Sequence, residues 1–166
     1  DNSEIVEVAV VGLDEEVLYH SLIRPDRSIP IEATAVHGIT DEMVANAPTW
    51  LEVWPYVRLI FSTRKALIFN EAFDLRMIYS ACRRNNLLPF EKIQSECVME
   101  AYARYSRSYS SYHKDFTWIS LENAAISERV STNLAHRSVE DSLVTVQVIR
   151  KVAILEESMN FAENFE

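Results

Sequence analysis

Apolar residues near the start of the chain form two short runs that are separated by a polar turn. The run I-V-E-V-A-V-V at 5–11 is rich in β-branched residues and predicts a buried strand. The polar stretch G-L-D-E follows it, and E-V-L-Y-H-S-L-I at 16–23 predicts a second strand. We therefore expect a hairpin, followed by a loop that Pro25 and Pro30 mark.

Helical spacing of apolar positions dominates the rest of the chain. Thr40 is a predicted N-cap, with Asp41 and Glu42 in the first turn of a short helix. Further helices are predicted over 51–61 (with Pro55 in its first turn), 73–85, 96–104, 120–127 and 138–157, and a short strand over 66–69. In the last helix Leu143, Val146, Ile149 and Ala153 share one face. This order of elements is the layer pattern of an α/β protein.

The composition is that of an ordinary globular protein. With 166 residues, 48% of them hydrophobic and 25% charged, the chain is expected to form one domain over 1–166. It has no apolar run long enough to span a membrane, and its first residues do not resemble a signal peptide. Cys82 and Cys97 do not form a C-x-x-C pair, which argues against a structural zinc site and favours a reduced, cytoplasmic setting.

Charge and glycine content exclude two further classes of protein. The net charge of -9 argues against a protein that coats nucleic acid through bulk charge, although acids in an enzyme can hold cations. Gly12 and Gly38 are the chain's two glycines, so neither G-x-G-x-x-G nor a Walker loop is present. Dinucleotide and P-loop chemistry are therefore set aside.

Two acids lie at predicted element ends where chemistry is possible. Asp74 follows the strand ending at Phe69, at the sheet edge where α/β proteins bind ligands. The alternative is an acid that the helix dipole favours in a first turn. Asp141 lies five residues after His136, about 140° around a helix, so the two share a site only if His136 precedes the helix. An N-cap at Ser138 would arrange this, and capping alone also explains the stretch.

Two other stretches carry candidate binding residues. In A-T-A-V-H-G-I-T, Gly38 permits a tight turn and His37 with Ile39 could line a pocket; the alternative is a loop before a capped helix. Tyrosines and basic residues interleave over 101–114, which suits stacking on bases and contact with phosphates. A solvated loop beside a half-buried helix explains that segment equally well.

Together these stretches resemble one family. H-G-I-T, then N-E-A-F-D, then H-R-S-V-E-D, preceded by E-I-V-E-V-A-V-V, match the order and spacing of the DnaQ and RNase T group of 3′–5′ exonucleases, the DEDDh nucleases. The resemblance runs from Glu4 to about Val152. It implies a ribonuclease H-like fold, in which helices flank a mixed sheet.

The resemblance also implies roles for individual residues. Asp74 and Asp141 match acids that bind metal, and His136 matches the general base that activates water. Two Mg²⁺ or Mn²⁺ ions would orient the water and stabilise the leaving 3′ oxygen. Histidine exchanges a proton near neutral pH, which suits that base. Residues that match the binding surface for the 3′-terminal nucleotide are His37, Gly38, Ile39, Asn70 and Phe73.

The chain departs from the family at the first motif. D-x-E on the first, central strand does not occur in the numbered residues, and D-N-S at 1–3 occupies what resembles the following loop. Glu7 belongs to the next strand of the family pattern, so we do not expect it to replace either acid. Without the first strand, two neighbouring strands would have unpaired edges.

Three explanations of this departure stay open. In the first, residues precede Asp1; in the second, another chain donates the strand; in the third, the chain is an inactive relative whose hairpin packs differently. The first two are favoured because Asp74, His136 and Asp141 are all present, whereas an inactive relative would be free to lose them.

Two functions are therefore expected as alternatives. The first is a metal-dependent 3′–5′ exonuclease that releases nucleoside 5′-monophosphates from single-stranded or frayed DNA or RNA. The second is an inactive exonuclease-like domain that binds nucleic acid or a protein partner. A homodimer or attachment to a larger nucleic-acid-processing complex would be compatible with either one, and no membrane partner is expected.

Overall fold

Short strands and longer helices alternate along the chain. The computed structural model describes residues 3–88, 92–111, 115–131 and 136–163. The strands are β1 (Glu7–Val11), β2 (Val17–Leu22), β3 (Ala66–Ile68), β4 (Ser95–Cys97), β5 (Tyr109–Ser110) and β6 (Asp115–Phe116). The helices are α1 (Ile31–His37), α2 (Asp41–Val44), α3 (Trp50–Thr63), α4 (Glu71–Arg84), α5 (Val98–Tyr105), α6 (Leu121–Ser127) and α7 (Ser138–Glu163). The α/β class predicted from the sequence is confirmed.

The strands pair two by two. β1 and β2 form the predicted antiparallel hairpin, with a register shift between Val10 and Val11. β3 and β4 are parallel, and β5 and β6 form a second, very short antiparallel pair. Within the described residues no ladder joins β1 to β3, so each of these strands pairs on one edge only.

The strand pairs lie against two groups of helices. On one side, α3 and α4 supply most of a core cluster that includes Val53, Val57 and Cys82, against which Val8 and Ala66 pack. On the other side, α5, α6 and α7 form a second cluster, against which Phe69 packs at the end of β3. Apolar side chains on both faces of the strands therefore bury them between helical layers.

Two predicted element assignments are wrong. The stretch 31–37 is a helix rather than a loop: Pro30 occupies its N-cap, and Gly38 ends it with a left-handed φ of 71°. Residues 95–97 form β4 rather than the start of a helix, because their backbone pairs with β3. Pro55 also lies beyond the first turn of α3, which begins at Trp50.

Helix α7 is longer and more enclosed than predicted. It packs against β1 on one side and against α5 and α6 on the other. Its most buried side chains include Val144, Val146 and Val148, whereas Leu143 and Ile149 are only half-buried. A one-face pattern underestimates the burial because two layers cover this helix.

No helix in the described parts of the chain is both long enough and apolar enough to cross a bilayer.

Candidate active site

Asp74 lies where the parallel strand pair ends. β3 stops at Ile68, Asn70 occupies the N-cap of α4, and Asp74 lies in the first turn of that helix. The amide of Met99 donates to the Phe69 carbonyl at 3.0 Å, which ties the start of α5 to the same end of β3. The sequence-based placement of Asp74 at this sheet edge agrees with the structure.

The Asp74 carboxyl is half-buried, and this burial raises its pKa from 3.8 to about 6. A carboxylate removed from water ionises with difficulty unless a cation or several donors compensate. No hydrogen bond or ion pair to the Asp74 carboxyl is found among the described residues. The local electrostatics therefore favour either a proton or a cation here.

Asp141 lies in the first turn of α7, and His136 lies just before that helix. Burial raises the Asp141 pKa, with Glu140 and Glu7 acting in the same direction, while His136 lowers it. Oδ1 of Asp141 is buried and makes no hydrogen bond. His136 is exposed and has a left-handed φ of 49°, which is rare for a non-glycine residue. The predicted proximity of this pair is thus present.

The predicted capping of α7 by Ser138 is wrong. Ser138 is the first helical residue, and its Oγ is buried without a hydrogen-bond partner. Instead, the Ser138 amide donates to Oε2 of Glu7 at 2.9 Å. A carboxylate from β1, more than a hundred residues away in sequence, takes the place of a local cap because the helix packs directly on that strand.

Glu7 is the residue of this region that sequence reasoning passed over. Its side chain is only 5% exposed, and Arg137 binds both of its oxygens: Nε lies 3.0 Å from Oε2, and Nη2 lies 2.6 Å from Oε1. His20 Nε2 is 3.0 Å from Oε1. Burial alone would raise the Glu7 pKa, but the bonds from Arg137, the Ser138 amide and His20 outweigh it and lower the pKa to about 2. The sequence does contain a signal for this role, because Glu7 is the one acid inside the apolar run I-V-E-V-A-V-V. A charge buried in such a strand needs partners elsewhere in the chain.

The H-G-I-T stretch joins this region through His37. Both Glu7 and Arg137 interact electrostatically with His37, whose pKa burial lowers. The Ile39 amide donates to His37 Nδ1 at 3.0 Å, which holds the ring against its own turn. Gly38 supplies the left-handed turn, and the Ile39 side chain lies in the core at 1% exposure. The end of α1 thus lies near the start of α7.

Asn70 and Phe73 flank Asp74 on the surface. Asn70 is exposed and its side chain makes no capping hydrogen bond. Phe73 is 47% exposed, and the Arg76 guanidinium lies 5.3 Å from the centroid of its ring. An exposed aromatic face beside a cation suits stacking against a nucleic acid base.

The tyrosine-rich stretch divides between core and surface. Tyr102 is buried, and its hydroxyl donates to Glu128 at 2.8 Å. Tyr109 is 57% exposed and meets Phe116 edge to face. Arg104 and Arg107 are exposed, whereas Tyr112 and Lys114 lie outside the described residues. The surface part of this stretch is therefore smaller than the sequence suggested.

The predicted site residues form two groups. His136, Asp141 and His37 gather around the Glu7–Arg137 pair, while Asp74 lies at the end of β3. Phe69, at that end, packs against the cluster that contains Val144 and Val148, which lie on the same face of α7 as Asp141. No direct interaction joins Asp74 to Asp141 or His136 within the described residues.

The chemistry of the two acids fits a divalent cation. An unpaired buried oxygen on Asp141 and a burial-raised pKa on Asp74 are both relieved by nearby positive charge. No group of three or more His, Cys, Asp or Glu that could hold a metal ion occurs in the described parts of the chain. Phosphate, water or other protein residues would have to supply the remaining ligands.

A cavity of about 330 Å³ lies elsewhere, at the C-terminal end of α3. Arg58, Arg64, Lys65 and Lys92 line it. It adjoins the amino ends of β3 and β4, the edge opposite Asp74, and is therefore separate from the candidate site.

The raised pKa of Asp74 predicts a pH-dependent stability. Because the folded state holds the proton up to about pH 6 and the unfolded state releases it near 3.8, stability contributed by Asp74 is present below pH 4 and lost as pH rises through 6. Asp74→Asn should therefore remove this pH dependence and stabilise the protein at pH 7 by about 1–2 kcal/mol in EDTA. Thermal unfolding from pH 4 to 7 measures it.

Glu122→Gln is the matched control for Asp74→Asn. Glu122 is an exposed first-turn acid of α6, where the helix dipole favours a negative charge, so its removal should destabilise slightly. If Asp74→Asn behaves in the same way, Asp74 is an ordinary first-turn acid.

Comparison with known proteins agrees with the fold and with the predicted family. The sequence model of the RNase T exonuclease family matches residues 1–149. An uncharacterized exonuclease, CP81 of Escherichia phage 186, is 35% identical over 159 residues, covering 92% of this chain and 81% of its own. The DNA polymerase III subunit epsilon of Treponema pallidum (strain Nichols) is 23% identical over 154 residues, covering 89% of this chain and 67% of its own.

A solved structure shares the fold as well. Exonuclease X in complex with 5′ overhanging duplex DNA superposes with a TM-score of 0.65 at 25% identity, over 95% of this chain and 86% of that one. This likeness agrees with the predicted ribonuclease H-like fold. The family match, the phage relative and the shared fold show that the chain belongs to the RNase T exonuclease family.

Proposed function

We propose that the protein is a metal-dependent 3′–5′ exonuclease that removes nucleoside 5′-monophosphates from single-stranded or frayed nucleic acid ends. The observation that carries the proposal is the start of α7, where His136 stands beside an Asp141 carboxylate with a buried, unpaired oxygen. Family membership supports hydrolysis of nucleic acid as the reaction.

The chain's own residues have separate roles in this proposal. His136 is exposed and takes the proton of the attacking water, whose oxygen bonds to phosphorus as the bond to the 3′ oxygen breaks. Asp141 and Asp74 would hold Mg²⁺ or Mn²⁺, which when bound would polarise the phosphate and favour ionisation of water. Phe73 offers its exposed face to the terminal base, and the His37–Ile39 turn, near the start of α7, is a second candidate contact for that nucleotide.

Two divalent ions need more carboxylates than Asp74 and Asp141 provide. The proposal therefore requires a D-x-E segment in the complete open reading frame or in a second chain. The strand carrying it would lie between β1 and β3, which pair on one edge only among the described residues. Sequencing the coding region upstream of Asp1 tests this requirement directly.

The activity is tested on the product of the complete open reading frame. A 5′-labelled single-stranded oligonucleotide should give a descending ladder with Mg²⁺ or Mn²⁺ and no digestion in EDTA. A 3′-terminal phosphorothioate should slow digestion, and a 5′-terminal one should not. Parallel DNA and RNA strands identify the preferred sugar.

An inactive domain is the alternative. The lack of a third metal ligand among the described residues favours it. It predicts binding of the oligonucleotide with no hydrolysis in either metal, and that outcome would replace the exonuclease proposal.

A further inference from the structure

The start of α7 depends on a carboxylate that the family resemblance assigned no role. Glu7 uses both oxygens at once: Oε1 accepts from Arg137 and lies near His20, while Oε2 accepts from Arg137 Nε and from the Ser138 amide. Glu7 is buried on β1, and the residues that it holds follow His136 directly in sequence. A planar guanidinium bound to both carboxylate oxygens permits little angular freedom.

Arg137 connects Glu7 to both candidate catalytic groups, His136 and Asp141. The Asp141 amide donates to the Arg137 carbonyl at 2.9 Å, so Arg137 lies between Glu7 and Asp141. His136 is one residue before Arg137, and its left-handed φ must be held by its surroundings. Since Ser138 Oγ makes no capping bond, the Glu7 carboxylate is the side-chain acceptor at this end of α7 within the described residues.

We propose that Glu7 is a positioning residue for the nuclease reaction, holding His136 and Asp141 in register through Arg137 and the Ser138 amide. The inference rests on the proposed function. Both Glu7 oxygens are bound by Arg137, the Ser138 amide or His20, so Glu7 acts from strand β1 by fixing the end of a helix from a distant part of the sequence. A displacement of about 1 Å in such a site costs about a hundredfold in rate.

If the Glu7–Arg137 ion pair had a purely structural role, a different result would be expected. Removing the pair would then lower the free energy of unfolding and leave kcat per folded molecule unchanged. A positioning residue lowers kcat at saturating substrate and metal while KM changes little, because the substrate contacts remain. A positioning role and a purely structural role of Glu7 are therefore distinguished by kcat and KM, and not by the free energy of unfolding.

The chain offers a matched control on the same helix. Arg150 of α7 donates to the Glu15 carboxylate and to the Leu13 carbonyl in the turn between β1 and β2. This contact also joins α7 to the first hairpin, but it lies more than two turns from Asp141 and is exposed. Glu15→Gln thus weakens an equivalent link without touching the site.

The experiment compares Glu7→Gln, Glu7→Asp, Arg137→Lys and Glu15→Gln in the product of the complete reading frame. We expect Glu7→Gln to lower kcat by about 10- to 100-fold with KM within about threefold, and Arg137→Lys to lower it less. Glu15→Gln should keep the wild-type kcat. By NMR, the Ser138 amide should exchange faster and shift upfield in Glu7→Gln only.

Each outcome decides a separate question. A wild-type kcat per folded molecule in Glu7→Gln overturns the positioning role. If Glu7→Gln does not fold, a wild-type kcat in both Glu7→Asp and Arg137→Lys overturns it. If the wild-type protein hydrolyses neither DNA nor RNA, the proposed function has failed; an unchanged Ser138 amide in Glu7→Gln would then overturn the positioning as well.

Discussion

Asp141→Asn should reduce exonuclease activity by at least about a hundredfold while leaving the protein folded. The Oδ1 atom of Asp141 is buried and has no hydrogen-bond donor among the described residues. Removing this carboxylate oxygen from water therefore costs free energy that no described protein donor offsets. Asparagine keeps the shape and removes the charge that would bind a cation. In EDTA the variant should be as stable as the wild type or more stable, because burial opposes ionisation of Asp141.

Glu140→Gln is the matched control, because Glu140 is the exposed neighbour in the same turn of α7. Its loss should leave kcat within about twofold. Thermal unfolding with added Mn²⁺ gives a second measurement: the ion should raise Tm of the wild type and of Glu140→Gln, but not of Asp141→Asn. Equal loss of activity in both variants would contradict a specific role for Asp141.

If His136 is the proposed general base, His136→Ala should lower kcat by about a hundredfold or more, since general base catalysis contributes that much. The exposed ring stands before α7, close enough to Asp141 to lower the pKa of that acid. Added imidazole should restore part of the lost rate. Stopped assays at saturating substrate, with and without imidazole, measure both effects.

Arg129→Ala controls for the backbone at His136. Arg129 is another exposed non-glycine residue with a left-handed φ, 55°, and it lies after α6 rather than before α7. It should keep the wild-type rate. A His136→Ala protein that keeps the wild-type kcat would assign the proton transfer to another group.

Local rules explain which elements were predictable. The β1–β2 hairpin and the α2, α4 and α6 helices follow from alternation, β-branching and N-cap residues close in sequence. β4 does not follow from its own residues, because these three residues become a strand only through pairing with β3. α1 does not follow either, because Pro30 and Gly38 are typical of loops as well as of helix ends.

The candidate site likewise has features that depend on neighbouring residues and a feature that depends on a distant one. Asp74 could be placed from sequence because its position depends on β3 and α4, which adjoin each other in the chain. The proximity of His136 to Asp141 also depends on a few neighbouring residues. Their support did not follow from the sequence, since Ser138 looked like the cap while the actual acceptor is Glu7 on β1.

The residues alone predict the first hairpin, most of the helices, the candidate motif residues and the resemblance to a nuclease family. What holds those residues in place follows from packing between distant parts of the chain. Helix capping and hydrophobic periodicity involve residues within one or two helical turns, so they can be predicted from residues that are close in sequence. The buried Glu7–Arg137 pair joins residues 130 positions apart, and it exists only because α7 packs against β1.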